Sequence, residues 1–326
     1  MAQTEVSAAQ IDRAVAVLKR GGLVAFPTET VYGLGADATN PAAVQKIFRV
    51  KGRPHDHPVI VHIADIAQLE QWADPVSPAA RLLAERFWPG PLTLIMRRAA
   101  GVSDAITGAQ DTVGLRIPAH PVARALLCAF GGAIAAPSAN RFGRISPTTA
   151  EHVRAELGTD VDLLLDGGAC DIGIESTIVD VSGAQPAVLR PGRITARDLA
   201  EALAAPLANP ELRSPRAPGM LAAHYAPRTP LRLVSIEHLA SAAATLRETG
   251  KRAAVLASVS VPGAACSIVA QRNAIEYARE LYANLRRLDE RGCDVILVEA
   301  PPDEPAWAAP RDRLMRAAHA ETGVEP

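Results

Sequence analysis

Residues 23–35 read Leu-Val-Ala-Phe-Pro-Thr-Glu-Thr-Val-Tyr-Gly-Leu-Gly, and the break inside this run decides between two α/β architectures. Leu23 to Phe26 is a short apolar run of the kind that forms a buried strand. The polar run Thr28-Glu29-Thr30 interrupts it, so a loop leaves the strand end before Tyr32-Gly33-Leu34-Gly35. Gly33 to Ala38 formally fits G-x-G-x-x-A, but a dinucleotide fingerprint leads straight from strand into helix. A polar loop stands there instead, which argues against dinucleotide binding in the first half of the chain.

Working outward, Ser7 with Gln10 forms a capping box, and Ile11, Val15 and Leu18 follow at helical spacing up to Lys19-Arg20-Gly21. Asn40-Pro41 is an N-cap with proline at the first helical position, opening a helix to about Val50, and Ser77-Pro78 repeats the signal for a helix ending near Trp88. Pro58 to Ile63, Leu92 to Met96, Val113 to Ile117, Ala133 to Ala136, Leu163 to Leu165, Thr177 to Val181 and Ala187 to Leu189 read as further strands. Helices are expected over 121–130, 148–157 and 195–204. Strands and helices do not strictly alternate, so a mixed sheet is expected rather than a parallel one. From Ala205 to Pro230, six prolines and no apolar period mark an extended linker, with boundaries at 1–204, 205–230 and 231–326. Beyond it, strands at Leu231 to Val234, Ala253 to Ala257, Ser267 to Ala270 and Val295 to Val298 alternate with helices near 237–249 and 273–291. That is the pattern of a small doubly wound, Rossmann-like domain.

The length of 326 residues, about twice the ~150-residue prior for one domain, agrees with two domains. Hydrophobic residues at 48% support a sizeable core, and only 4% aromatics make it an aliphatic one. A net charge of −1, evenly spread, excludes the basic excess of a tight polyanion binder, so no stable tRNA binding is expected. The four cysteines show no C-x-x-C pairing, the N-terminus carries no signal-peptide pattern, and the longest uncharged stretch, Ala125 to Asn140, is too short to cross a bilayer. A cytoplasmic protein without a membrane role is expected.

The polar motifs each allow two readings. His55, His57 and His62 are the best candidate metal ligands, yet they match no standard zinc spacing, and substrate hydrogen bonding or structure is the alternative. Lys51-Gly52-Arg53 places two cations around a glycine, either a solvated helix end or a grip on an oligophosphate. Arg116 sits inside an apolar strand and needs an anionic partner, either a substrate carboxylate or an internal Asp or Glu. Ser138-Ala139-Asn140 and the run to Ser146-Pro147-Thr148 leave a strand end, where hydroxyls and free N–H groups either hold phosphate and ribose oxygens or fill ordinary turns. Walker A, Gly-x-Ser-x-Gly and His-Glu-x-x-His are absent.

Together, Phe26-Pro27-Thr28-Glu29-Thr30-Val31-Tyr32-Gly33-Leu34, Lys51-Gly52-Arg53-Pro54, Ser138-Ala139-Asn140, Glu175-Ser176-Thr177 and Leu189-Arg190-Pro191-Gly192 resemble, in order and spacing, the threonylcarbamoyl-AMP synthase family. Pro218-Gly219-Met220 with His224-Tyr225-Ala226-Pro227 resembles the linker of its longer, two-domain branch. The resemblance implies a YrdC-like twisted mixed sheet with flanking helices, plus a small C-terminal α/β domain. It implies a nucleotidyltransferase that makes threonylcarbamoyl-AMP and pyrophosphate from threonine, bicarbonate and ATP with Mg²⁺. Downstream proteins would then transfer the group to adenosine at tRNA position 37. By matching positions, Thr30, His62, Arg116, Ala136 and Ser176 would face threonine. Arg53, His57, Thr112, Ser138, Asn140, Ser146, Arg190 and Tyr225 would face ATP, with Lys51 and Arg53 carrying the catalytic charge and no protein metal site. The alternatives are a YrdC-like RNA-binding or ribosome-associated module, and a carbamoyl-transfer enzyme, whose zinc-finger segments the cysteine spacing does not supply.

Overall fold

The computed structural model describes residues 6–209 and 214–319, which form two compact units. The first comprises residues up to Phe142 and Pro147–Met220; the second comprises Gly143–Ser146 and the chain from Leu221 onward. Of the prolines that mark the linker, Pro210 lies outside the described residues, as does the end of the C-terminal domain beyond His319.

The first unit opens with helix α1 (Ala8–Lys19), whose Ser7–Gln10 capping box is closed in both directions. Strand β1 (Val24–Phe26) and strand β2 (Gly33–Asp37) form an antiparallel pair joined by the loop that carries Thr28, Glu29 and Thr30. The glycine-rich run is therefore itself a strand and no phosphate-binding turn. Helix α2 (Pro41–Lys51) starts on the Asn40 side chain and stops at Gly52, whose φ of +63° favours glycine. Strand β3 (Ile60–His62), short helices α3 (Leu69–Trp72) and α4 (Pro78–Phe87), strand β4 (Leu92–Arg97), the single turn α5 (Asp104–Thr107) and strand β5 (Thr112–Arg116) follow. Helix α6 (Pro121–Phe130), strand β6 (Ile134–Ala135), helix α7 (Ala150–Leu157), strands β7 (Leu163–Leu164), β8 (Thr177–Asp180) and β9 (Ala187–Arg190), and helix α8 (Ala196–Leu203) complete it. The sheet runs β7-β1-β2-β6-β3-β5-β4-β8-β9. Parallel pairs (β3 with β5, β4 with β8) are interleaved with antiparallel ones (β4 with β5, β3 with β6), giving the expected mixed sheet.

How the two faces are covered explains where a site can form. One face carries Val61, Leu94, Leu115 and Val179, packed with Ile47 and Phe48 of α2 and Leu83 of α4. On the opposite face, α1 and α6 bury Val24, Phe26 and Ile134, which covers only the β1-β2-β6 half. Over β3, β4, β8 and β9 the row on this face is Ile60, Ile95, Ile178 and Leu189, and their cluster includes no helix of this unit. Ala217 and Met220 pack there instead. Each buried aliphatic of such a row is worth about 1.5–3 kcal/mol, so this contact is a real anchor for the segment around Ala217 and Met220.

The second unit has four parallel strands, β10 (Leu231–Val234), β11 (Ala253–Ala257), β12 (Cys266–Val269) and β13 (Val295–Glu299), in the order β10-β13-β11-β12. Helices α9 (Ile236–Glu248), α10 (Ala274–Asp289) and α11 (Ala308–His319) flank it. Leu239, Ala243, Val255 and Leu297 lie at the centre of one of its apolar clusters.

Candidate active site

On strands β3, β5 and β4, residues spaced by two share a face. His62 therefore follows Ile60, Arg116 follows Gly114, and Thr93 precedes Ile95, all on the face that helices of this unit leave to Ala217 and Met220. His62 and Arg116 are register partners. Gly114 widens this face at its centre: a Cβ there would lie 3.0 Å from Ile95 Cδ1 and 3.6 Å from both Ile60 and Thr93. Ser176 and Arg190 continue the polar row on the β8 and β9 side.

Arg116 is 4% exposed and turned onto its own protein. Its Nη2 lies 2.7 Å from Glu29 Oε1, Nη1 donates to Thr30 Oγ1 at 2.9 Å, and Nε donates to Gly90 O at 3.1 Å. The other Glu29 oxygen accepts the Ala119 N–H at 3.1 Å. Of the two partners the strand position allowed, the internal one is thus present, and it is Glu29, a residue that sequence reasoning quoted in the motif without a role. His62 is buried beside this pair, and its Nδ1 finds no hydrogen-bond partner. Burial, then the Arg116 guanidinium, push its pKa down to about 3, so the imidazole is neutral.

Ser176 Oγ lies 2.8 Å from Thr93 Oγ1 and accepts from Arg190 Nη2 at 3.2 Å. Arg190 also donates twice to Ser176 O, at 3.0 and 3.2 Å, and from Nη1 to Pro218 O at 2.9 Å. Segment 214–220 is held further by Arg216, which pairs with Asp56 at 3.0 Å and donates to Gly108 O at 2.8 Å, while its N–H donates to Gln110 Oε1 at 2.7 Å. The part of the expected linker that leads to Met220 is therefore a strap docked on the first unit.

The left-handed turn at Gly52 sends its two cations to different duties. Lys51 Nζ donates to Ser138 O and Asn140 O, both at 2.5 Å, and is 2% exposed. Burial, then Arg53, hold its pKa well below the ordinary lysine value. Arg53 Nη2 donates to Pro58 O at 2.6 Å, and the guanidinium lies over the Phe142 ring at 5.8 Å. His57 stands edge-on to the same ring at 5.4 Å, its pKa lowered by burial and by Arg53. The loop of Ser138 and Asn140 is stitched to the Thr30 loop by Ala139 N to Tyr32 O at 2.8 Å and Leu34 N to Pro137 O at 2.8 Å. Ala136 N donates to Ile60 O at 2.9 Å, and Thr112 opens β5.

The three histidines do not converge: His55 packs on Phe48, His57 on Phe142 and His62 on Phe26. Among the described residues no group of three or more His, Cys, Asp or Glu side chains is placed to hold a metal ion. Ser146 and Tyr225 belong to the second unit. The Tyr225 ring, 1% exposed, is enclosed there by His224 at 4.2 Å, Tyr282 at 6.0 Å and the Arg313 guanidinium at 5.1 Å. No described helix is long and apolar enough to cross a membrane.

Residues 16–192 match the family model described as "Telomere recombination", and residues 194–319 match the model of the threonylcarbamoyl-AMP synthase C-terminal domain. These matches, with the relatives that follow, define an ATP-using nucleotidyltransferase, and its first unit carries the mixed sheet. The threonylcarbamoyl-AMP synthase of Bacillus subtilis is 42% identical over 95% of this chain and 93% of its own, and that of Pyrococcus abyssi is 39% identical over 93% and 92%. The crystal structure of P. abyssi Sua5 complexed with L-threonine superimposes with a TM-score of 0.92 at 38% identity, covering 96% of this chain and 95% of that one. The chain belongs to the threonylcarbamoyl-AMP synthase family.

Proposed function

We propose that the chain condenses L-threonine, bicarbonate and ATP into threonylcarbamoyl-AMP and pyrophosphate, supplying the group carried to adenosine 37 of tRNA by separate transfer proteins. The single observation that carries this for the residues themselves is the buried polar row His62–Arg116–Thr93–Ser176–Arg190, set on a sheet face beside the stitched loops of Thr30 and Ser138. A buried, prepaid row of donors suits a substrate with a carboxylate and a hydroxyl.

On this reading Thr30, His62, Arg116, Ala136 and Ser176 receive threonine, with Glu29 holding the Arg116 fork in place. Arg53, His57, Thr112, Ser138, Asn140 and Arg190 receive ATP. Lys51 acts by fixing the carbonyls of Ser138 and Asn140, so the cationic work on phosphate falls to Arg53 and Arg190. The threonine amine and bicarbonate first form the carbamate with loss of water; its carboxylate then attacks the α-phosphorus, an O–P bond forms, and the α–β bridge bond breaks to release pyrophosphate. The nucleophile already carries its charge, so positioning dominates and neutral His62 is no hindrance. Glu29 is committed to Arg116 and the Ala119 amide, so Mg²⁺ would arrive bound to the phosphates of its substrate ATP. This reading of the first unit does not rest on Ser146 or Tyr225. Incubation with ATP, Mg²⁺, bicarbonate and threonine should release pyrophosphate in a threonine-dependent way; release indifferent to threonine overturns the proposal.

A further inference from the structure

The second unit has a crevice of its own. In its sheet the neighbours β13 and β11 are parallel, but the chain leaves their carboxyl ends in opposite directions. From β11 it passes to β12 on one side, whereas after β13 it enters α11, which packs against β10 on the other. Divergent exits of this kind open a crevice at the carboxyl ends, where doubly wound sheets bind ligands.

That crevice is a cavity of about 190 Å³, below the ~300 Å³ at which drug-sized ligand pockets begin, so it takes one ring system rather than a whole nucleotide. Its floor is Glu299, at the end of β13, whose Oε2 accepts the Ser258 N–H at 2.5 Å and so ties the two strand ends together. Its wall includes Tyr277, on the first turn of α10, with a ring 5.1 Å from that of Trp307 in T-shaped contact. Tyr277 is 7% exposed, yet its hydroxyl has no hydrogen-bond partner. Pro301 and the exposed Arg272 also line the crevice.

We infer that this crevice binds the amino-bearing nucleobase of a nucleoside phosphate, the base inside and the phosphate at the rim. A buried phenol without a partner beside a half-buried carboxylate is a donor next to an acceptor. An adenine edge offers the complement, a ring nitrogen next to an exocyclic amine. Burial and the Glu299 carboxylate raise the Tyr277 pKa, which keeps the phenol a donor. The Trp307 indole and the Pro301 ring supply apolar surface against which a flat neutral ring can rest, and the exposed Arg272 cation suits an anion. A free amino acid fits less well, because its ammonium must be desolvated in a mostly apolar cavity.

The test is equilibrium binding of AMP and IMP to the full chain and to its Glu299→Gln and Trp307→Phe variants, with threonine-dependent pyrophosphate release and thermal unfolding as controls for folding. We expect an AMP-binding event that prefers AMP over IMP by about tenfold to a hundredfold, the effect of a hydrogen bond to a charged acceptor. Glu299→Gln should abolish that preference and Trp307→Phe should weaken the event, with pyrophosphate release retained. AMP binding that both variants leave unchanged overturns the inference, as does displacement of AMP from this event by free L-threonine, which would make the crevice an amino-acid site.

Discussion

The ion pair of Arg116 with Glu29 sets what substitution of either residue should do. Removing one partner of a buried pair leaves the other charge uncompensated, typically at about 3–5 kcal/mol. Arg116→Ala should therefore lower both threonine affinity and stability, while Glu29→Gln keeps the shape, loses the charge and frees the guanidinium fork. Calorimetry should show threonine affinity falling about tenfold or more in Glu29→Gln with ATP affinity retained; equal loss of both would make the pair purely structural. His62 gives a second, pH-resolved outcome. Its folded pKa of about 3 lies below the ordinary 6.5, so its contribution is complete above pH 6.5 and is lost as pH falls toward 3. Between pH 6.5 and 4.5 this single group costs about 2–3 kcal/mol, and chemical unfolding of His62→Asn should lack that part of the acid sensitivity. Arg116 was legible in the sequence because a guanidinium inside an apolar strand demands an anion. Glu29 was not, because nothing local says that the loop after β1 folds back over β5.

At the scale of elements, the strands and capped helices were legible wherever apolar runs met Asn-Pro, Ser-Pro or Ser-x-x-Gln signals. Strand β2 was hidden by its glycines, which lower strand propensity but let it pass between neighbours. Helix α11 was also hidden: its buried stripe is Ala309, Pro310, Arg313, Leu314 and Ala317, so a proline and an arginine stand where the apolar pattern is sought. Pro310 is tolerated because it lies in the first turn. The prolines marked a linker, and the resemblance read it as a lid, but where segment 214–220 docks was not legible, since seven residues without a period acquire that meaning only from the sheet they lie on. Ala217 at 8% exposure is its foot. Ala217→Glu would set a charge against Ile60, Ile95, Ile178 and Leu189 and should detach the strap. Protease accessibility around Arg216 should rise, and the ratio of pyrophosphate released to threonylcarbamoyl-AMP recovered should climb; an unchanged cleavage pattern would count against the anchor.

For the whole molecule, the division into units does not follow the chain. Gly143–Ser146 is counted with the second unit, where Ala226 N donates to Gly143 O at 2.8 Å and Arg286 reaches Ile145 O. A chain ending at Met220 should keep the first core, seen by circular dichroism, while the Gly143–Ser146 turn, which loses its Ala226 and Arg286 partners, should become more open to proteolysis. Tyr225 belongs to the same unit, and its φ of +62° is strained for a residue with a side chain. Tyr225→Ala should lower the unfolding free energy by about 3–5 kcal/mol and Tyr225→Phe by about 1 or less, measured by denaturant titration.

Arg190 holds a serine of the substrate face with one edge of its guanidinium and the Pro218 carbonyl of the strap with the other. On the reading proposed above, a phosphate arriving at Arg190 would compete with that carbonyl for the Nη1 edge. Whatever grip a nucleotide gains on Arg190 is therefore subtracted from the latch, and by thermodynamic reciprocity an unlatched chain takes up nucleotide more readily. On that reading one side chain would link nucleotide uptake to release of the strap.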